Sequence, residues 1–205
     1  TVRQADELPD AWCCIAAIER GQHRQGGVHG LAVMQLAETI AAGIAAPGDF
    51  LSYDLNVFDA VLGVNLRGVF VATQRAARTM VEQGIKGAII NMNSMGSYIP
   101  LSGVWAYDAA KAGVLNLTQA TANAFARHGI RVNAIAPGFF LGKQNRALLV
   151  DEKTGDYTPR GQAIIERTPF GRFGNPEELA GATLFLASEK ASACTVCGAC
   201  LEHCP

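Results

Sequence analysis

Residues 87–111 read GAIINMNSMGSYIPLSGVWAYDAAK, and how this stretch folds decides the architecture of the chain. It opens with GAIINM, residues 87–92, a short apolar run without a polar face, which suits a strand buried on both sides of a sheet. It closes inside a segment from about Val104 to Arg127 that reads as a long helix ending at Gly129. Working outward, Val57, Phe58, Val61, Leu62, Leu66, Val69 and Phe70 recur at helical spacing, which predicts a helix over 57–83 stopped by Gly84. On the other side RVNAIA, residues 131–136, predicts a second buried strand, ended by Pro137 and Gly138. Asn175-Pro176-Glu177-Glu178 then opens another helix, with a capping residue, proline in the first turn and acids where the helix dipole favours them. Strands and helices thus alternate from about Leu51 onward, the pattern of an α/β domain whose parallel sheet is covered on both faces. Residues 1–40 hold polar patches, Gly and His, and no strand-helix-strand pattern is legible in them.

At 205 residues the chain suits one well-packed domain. Its 49% hydrophobic and 17% charged residues are an ordinary balance for a buried-sheet protein. A formal charge of -1 argues against nucleic acid and against an anionic membrane surface as partners. No apolar run approaches the roughly 20 residues of a membrane helix. The pattern of a secretory signal is not seen either, so a cytoplasmic location is expected. The six cysteines are clustered, Cys13 and Cys14 near one end and Cys194, Cys197, Cys200 and Cys204 at the other. A secreted disulfide scaffold would spread them along the chain.

The residues best suited to chemistry are Ser94, Tyr107 and Lys111. Tyr107 and Lys111 stand four apart on a predicted helix, so their side chains emerge on one face. A phenol ordinarily titrates near 10. An ammonium beside it favours the phenolate and lowers that value, which makes tyrosine a usable acid and base near neutrality. Ser94 directly follows the buried strand, at the carboxyl end where open α/β sheets place their ligands. Taken singly, a Tyr-x-x-x-Lys pair is usually a solvated surface pair, and a serine after a strand is usually a turn residue.

The separation of 13 residues between Ser94 and Tyr107, with a buried strand before Ser94, resembles the short-chain dehydrogenase/reductase family. Asn65 in NLRG resembles the family's helix asparagine, RVNAIAPG its strand and loop beside the nicotinamide, and residues 171–188, GRFGNPEELAGATLFLAS, its late helix. The resemblance covers roughly residues 41–190, framing a catalytic region 41–193 between an unassigned segment 1–40 and a Cys-rich tail 194–205. It implies a doubly wound, three-layer Rossmann-type sheet that is incomplete on its N-terminal side. It also implies NAD or NADP as cofactor, a small carbonyl or secondary alcohol as substrate, and a homodimer or homotetramer built on the two long helices. The implied catalytic set is Asn65, Ser94, Tyr107 and Lys111, in which Tyr107 exchanges the proton, Ser94 polarises the substrate oxygen, Lys111 lowers the pKa of Tyr107 and Asn65 supports a proton relay. Cofactor contacts implied by position are Gly43, Asn93, Tyr107, Lys111, Pro137, Gly138 and Phe140. Residues 136–149 and 168–174 resemble the branch that interconverts keto sugar acids such as fructuronate with mannonate, for which Lys143, Arg146 and Arg160 are candidate carboxylate partners.

Three departures qualify the resemblance. No two glycines stand two residues apart, so the family's phosphate-binding Gly-rich turn is not present, nor is the residue that would choose between NAD and NADP. GQHRQGGVHG, residues 21–30, reads as a loop, and the family's Asn-Asn-Ala-Gly landmark survives only as Ile40-Ala41-Ala42-Gly43. The front of the domain is therefore expected to be shortened or replaced. Finally, Cys194, Cys197, Cys200 and Cys204 with Pro205 have the C-x2-C-x2-C-x3-C-P spacing of ferredoxin cluster ligands. That leaves two other readings open: an iron–sulfur (or zinc) protein that uses the tail, and a non-catalytic remnant of the dehydrogenase fold.

Overall fold

The computed structural model describes residues 15–17, 36–40, 43–142 and 145–193 of the chain. Four strands, β1 (Ile15–Ala17), β2 (Leu36–Ile40), β3 (Gly87–Met92) and β4 (Arg131–Ile135), form one sheet in the order β1-β2-β3-β4. β2, β3 and β4 are parallel, and β1 runs antiparallel to β2. The register sets Ile40 opposite Asn91 and Met92 opposite Ile135, which brings the carboxyl ends of the three parallel strands level with one another. β3 is where the apolar run predicted it. β2 lies in the stretch where no strand was legible: LAETI is five residues long and carries Glu38 and Thr39, too short and too mixed for periodicity to register.

The helix predicted over 57–83 runs continuously from Leu55 to Glu82 as α1 (Leu55–Leu62), a single π-helical stretch (Gly63–Arg67) and α2 (Gly68–Glu82). Asp54 caps it by accepting from the Asn56 N–H at 2.8 Å. By length and a mean hydropathy of 1.4 in its most apolar window, this helix could cross a membrane, contrary to the sequence-based expectation. Here it is instead a covering layer. One stripe, Asn65, Val69, Thr73, Ala76, Ala77 and Met80, is buried. Its apolar members share one core cluster with Ile89 of β3, Val132 of β4 and Val114 of α3 (Trp105–Phe125). The alanine-rich composition of α3 favours the helix, and Ala106, Ala110 and Ala122 lie on its fully buried face. Gly129, at φ 70°, ends the following turn in the left-handed conformation that glycine adopts without strain. Buried Arg131 donates to the Leu186 and Ser188 carbonyls at 2.6 and 3.2 Å.

The chain groups into two compact units, one holding the sheet and its helices, the other Pro137–Leu184. The second unit has its own small core of Leu149, Val150 and Phe173, with α4 (Arg146–Leu149) and α5 (Pro159–Ile165) beside it. Phe140 bridges to Gly174, which has no room for a side chain: a Cβ there would meet the Phe140 ring at 2.5 Å. The helix predicted at Asn175 begins as a 3-10 turn (Pro176–Leu179), where Glu178 accepts from the Asn175 N–H and from Arg172. The Arg172 hydrogen bonds hold the Glu178 carboxyl down to about 2.

Candidate active site

Ser94 stands two residues beyond β3 in extended backbone and caps the turn that follows, its Oγ accepting from the Gly96 N–H at 3.1 Å. Only 7% of it is exposed. Tyr107 and Lys111, on the first two turns of α3, come together as their spacing predicts, with the Lys111 ammonium 5.7 Å from the Tyr107 ring centre. The electrostatics, however, run opposite to the sequence-based expectation. Burial pushes the Tyr107 phenol above its ordinary 10, a hydrogen bond with Ser94 pulls it back, and the neighbouring Asp108 charge pushes it further up. Lys111 does not set the balance. Its Nζ is turned to the Met92 carbonyl at 2.7 Å, and its own burial, at 4% exposure, lowers it to about 8. Desolvation penalises the charged form of both groups more than the pair's proximity favours it.

Asn65 sits in the π-helical stretch, fully buried. Its carboxamide pairs with one backbone unit in both directions: Oδ1 accepts from the Ile44 N–H at 2.8 Å, and Nδ2 donates to the Ile44 carbonyl at 2.7 Å. This fastens the segment after β2 to the helix. Gly43, one residue earlier, stands where both elements meet, since a Cβ there would lie 3.6 Å from Asn65 Oδ1 and 3.8 Å from Lys111 Nζ. Asn93, at 4% exposure, receives the Ser97 hydroxyl on Oδ1 at 2.6 Å and donates its backbone N–H to Ile135. Among the described residues, its Nδ2 and Asp108 Oδ1 are the buried side-chain polar atoms without a partner. An unpaired buried amide donor beside Ser94 fits a group that brings its own acceptor.

The structure therefore gathers Gly43, Asn65, Asn93, Ser94, Tyr107 and Lys111 at the carboxyl ends of the parallel strands. Pro137, Gly138, Phe140 and Arg146 belong to the second unit, where Pro137 and Phe140 are half-buried while Gly138, Arg146 and Arg160 are exposed. Lys143 and Cys194, Cys197, Cys200 and Cys204 lie outside the described residues. Among the described residues, no group of three or more His, Cys, Asp or Glu is arranged to hold a metal.

Two residues near the site escaped the sequence reading. Asp108 Oδ2 accepts from the Leu101 N–H at 2.7 Å, and its other oxygen lies where a Cβ on Gly96 would come within 2.6 Å, so one carboxylate pins the loop after Ser94. The available signal was its place as an acid in the first turn of α3. Trp105 donates Nε1 to the Gly48 carbonyl at 2.9 Å and packs edge-on against Phe50 with ring centres 5.1 Å apart. The Gly48 N–H in turn donates to Gly103, whose φ of 73° calls for glycine. No local pattern could have joined positions 48 and 105.

Ser94 and Lys111, both buried, and the half-buried Tyr107 meet at the carboxyl edge of a parallel sheet, the place where open α/β sheets hold their ligands. The family model described as enoyl-(acyl carrier protein) reductase matches residues 32–200, and the chain belongs to the short-chain dehydrogenase/reductase family. It is 46% identical over 143 residues to the uncharacterized oxidoreductase UxuB of Bacillus subtilis (strain 168), covering 70% of this chain and 51% of that protein. It is 39% identical over 147 residues to the 2-dehydro-3-deoxy-D-gluconate 5-dehydrogenase of Escherichia coli (strain K12), covering 72% and 56%. A gluconate 5-dehydrogenase from Burkholderia cenocepacia J2315, solved in complex with NADP and tartrate, superimposes with a TM-score of 0.71 at 34% identity over 81% of this chain and 62% of that one. The chain thus spans about half the length of the curated relatives it matches.

Proposed function

We propose that this chain carries the catalytic centre of a nicotinamide-dependent oxidoreductase that interconverts a carbonyl and a secondary alcohol on a sugar acid of the fructuronate and mannonate type. The observation that carries the reading is the convergence of Ser94, Tyr107, Lys111 and Asn65, with Ser94 near enough to the Tyr107 phenol to pull its pKa down against burial and Lys111 5.7 Å from its ring centre. Relatives named for dehydrogenation of gluconate and its 2-dehydro-3-deoxy derivative support the substrate class. The NADP named in a neighbour's structure supports the cofactor.

In this reading NAD or NADP supplies or accepts the hydride when bound. Lys111 and Tyr107 would hold its ribose, and Asn93 Nδ2 is the unpaired donor available to its carboxamide. Ser94 Oγ donates to the substrate oxygen and holds it next to the phenol. Tyr107 gives its proton to that oxygen during reduction and takes it back during oxidation. A phenol whose pKa is raised by burial is protonated at neutral pH, the state needed to act as acid. Lys111, near 8, changes protonation close to neutrality, 5.7 Å from the centre of the Tyr107 ring. Arg146 and Arg160 are the proposed partners of a substrate carboxylate, a role also proposed for Lys143. Assembly as a dimer or tetramer is proposed through the exposed apolar face of the long helices, where Leu62, Leu66, Phe70 and Leu117 line a groove flanked by Arg67.

The test is titration of the purified chain with NADH and NADPH, followed by turnover of fructuronate and 5-keto-gluconate, beside Tyr107→Phe. Saturable binding with turnover that the substitution abolishes is the expected result. A folded chain that binds neither nucleotide refutes the reading and favours the non-catalytic alternative.

A further inference from the structure

Asn91, Thr73 and Thr118 are polar, have at most 1% of their surface exposed, and lie in the layer between β3 and the two long helices. The same three elements contribute Val69, Ala77, Met80, Ile89 and Val114 to one buried apolar cluster. The three side chains form one directed chain of hydrogen bonds. The Thr73 hydroxyl donates to Asn91 Oδ1 at 3.3 Å, Asn91 Nδ2 donates to Thr118 Oγ1 at 2.9 Å, and the Thr118 hydroxyl donates to the Val114 carbonyl at 2.7 Å. Because Thr118 commits its proton to Val114, it receives Asn91 only as an acceptor, and the amide can face only one way.

Aliphatic side chains of similar volume would fill this space without any requirement for partners, so stability alone does not explain an amide here. What the amide adds is direction. Each of its partners stands on an element that carries part of the proposed catalytic set. Thr73 is two turns beyond Asn65 on the same buried stripe of the continuous helix Leu55–Glu82. Thr118 is two turns beyond Lys111 on the buried face of α3. Asn91 is three residues before Ser94 on β3. One side chain thus links all three elements at a common level. Lys111 itself bonds the Met92 carbonyl, one residue along the same strand. We propose that Asn91 is a positioning residue: through Thr73 and Thr118 it fixes the relative register of the helix bearing Asn65, the strand that leads into Ser94 and the helix bearing Tyr107 and Lys111. Its catalytic meaning rests on the reading of those four residues given above.

The test reads the placement of Lys111 directly and does not depend on turnover. Buried against Met92, Lys111 is shielded from amine acylation, while exposed Lys153 serves as an internal reference. Labelling with acetic anhydride at pH 9, followed by peptide mass spectrometry, gives both rates. Thr118→Val keeps the shape of the side chain and removes one tie. It should raise the Lys111 rate about three- to tenfold relative to Lys153, the range that one net hydrogen bond produces in a local opening equilibrium. Met80→Ala, in the same core but outside the chain of hydrogen bonds, should leave the ratio within about twofold at a comparable loss of global stability. The combined variant Asn91→Leu, Thr73→Val, Thr118→Val leaves no buried orphan and should regain its unfolding midpoint while Lys111 stays fast. If that variant instead labels like the wild type, packing alone sets the register and the proposal is overturned. Should it not fold, Thr118→Val alone decides: an unchanged Lys111 rate overturns the proposal. Where keto-acid turnover is measurable, the same variants should lose kcat about tenfold at constant KM, because misplacement affects the reacting geometry more than binding. An inactive wild type would refute the catalytic reading of the site and leave the labelling result to stand or fall separately.

Discussion

Lys111→Met, followed by urea unfolding from pH 7 to pH 10.5, probes the electrostatics of the site most directly. Methionine keeps the length and apolar stem of the side chain and removes the charge. The native ammonium titrates near 8 against an ordinary 10.5, lowered by burial. At 1.36 kcal/mol for each tenfold difference, that interval corresponds to roughly 3 kcal/mol of native-state penalty for holding the charge. The sign follows from proton binding. Between about 8 and 10.5 the unfolded chain holds more protons on Lys111 than the folded one, so this residue makes stability rise with pH across that window. Below 8 the penalty is fully present, and above 10.5 it is gone. The variant carries no such group. It also leaves the Met92 carbonyl without its 2.7 Å donor, a constant cost of about 1–3 kcal/mol at every pH. The difference in unfolding free energy between wild type and variant should therefore shift by roughly 3 kcal/mol in favour of the wild type as pH rises from 7 to 10.5. Titrations shared by both proteins cancel in that difference. A flat difference would show that Lys111 keeps its ordinary pKa and that burial does not govern the site.

Other substitutions test neighbouring parts of the argument. Tyr107 should titrate above 10, seen as the tyrosinate absorbance that Tyr107→Phe removes, and Asp108→Asn should bring it down; a wild-type value below 10 would restore the lysine-dominated picture. Gly96→Ala places a Cβ 2.6 Å from Asp108 Oδ1, so the loop after Ser94 must shift, and turnover should fall at least about tenfold while the fold survives in circular dichroism. Gly174→Ala drives a methyl group into the Phe140 ring at 2.5 Å and should cost about 1–3 kcal/mol in chemical denaturation; a neutral result would mean the ring has room to move. Phe70→Glu, on the exposed apolar groove, should shift the chain towards monomer in sedimentation velocity if that face joins copies of the chain.

Much of the architecture, and which residues the candidate site would bring together, were legible without coordinates, because both depend on short-range pattern. GAIINM is a strand because a run without a polar face needs cover on both sides, and the 55–82 helix follows from apolar residues recurring at helical spacing. Tyr107 and Lys111 share a face because four residues nearly complete one helical turn. The tertiary structure decided what burial and distance control. LAETI became the strand β2 only by pairing with β3, since five mixed residues have no periodicity of their own. Asn65 pairs with Ile44 and Trp105 with Gly48 across 21 and 57 residues, separations that no local spacing encodes. Spacing placed the lysine beside the tyrosine, but the pKa values of both follow from how much water the folded chain removes around them. Removal of water is a property of the whole packed layer, and for Tyr107 it reversed the direction that proximity alone implies.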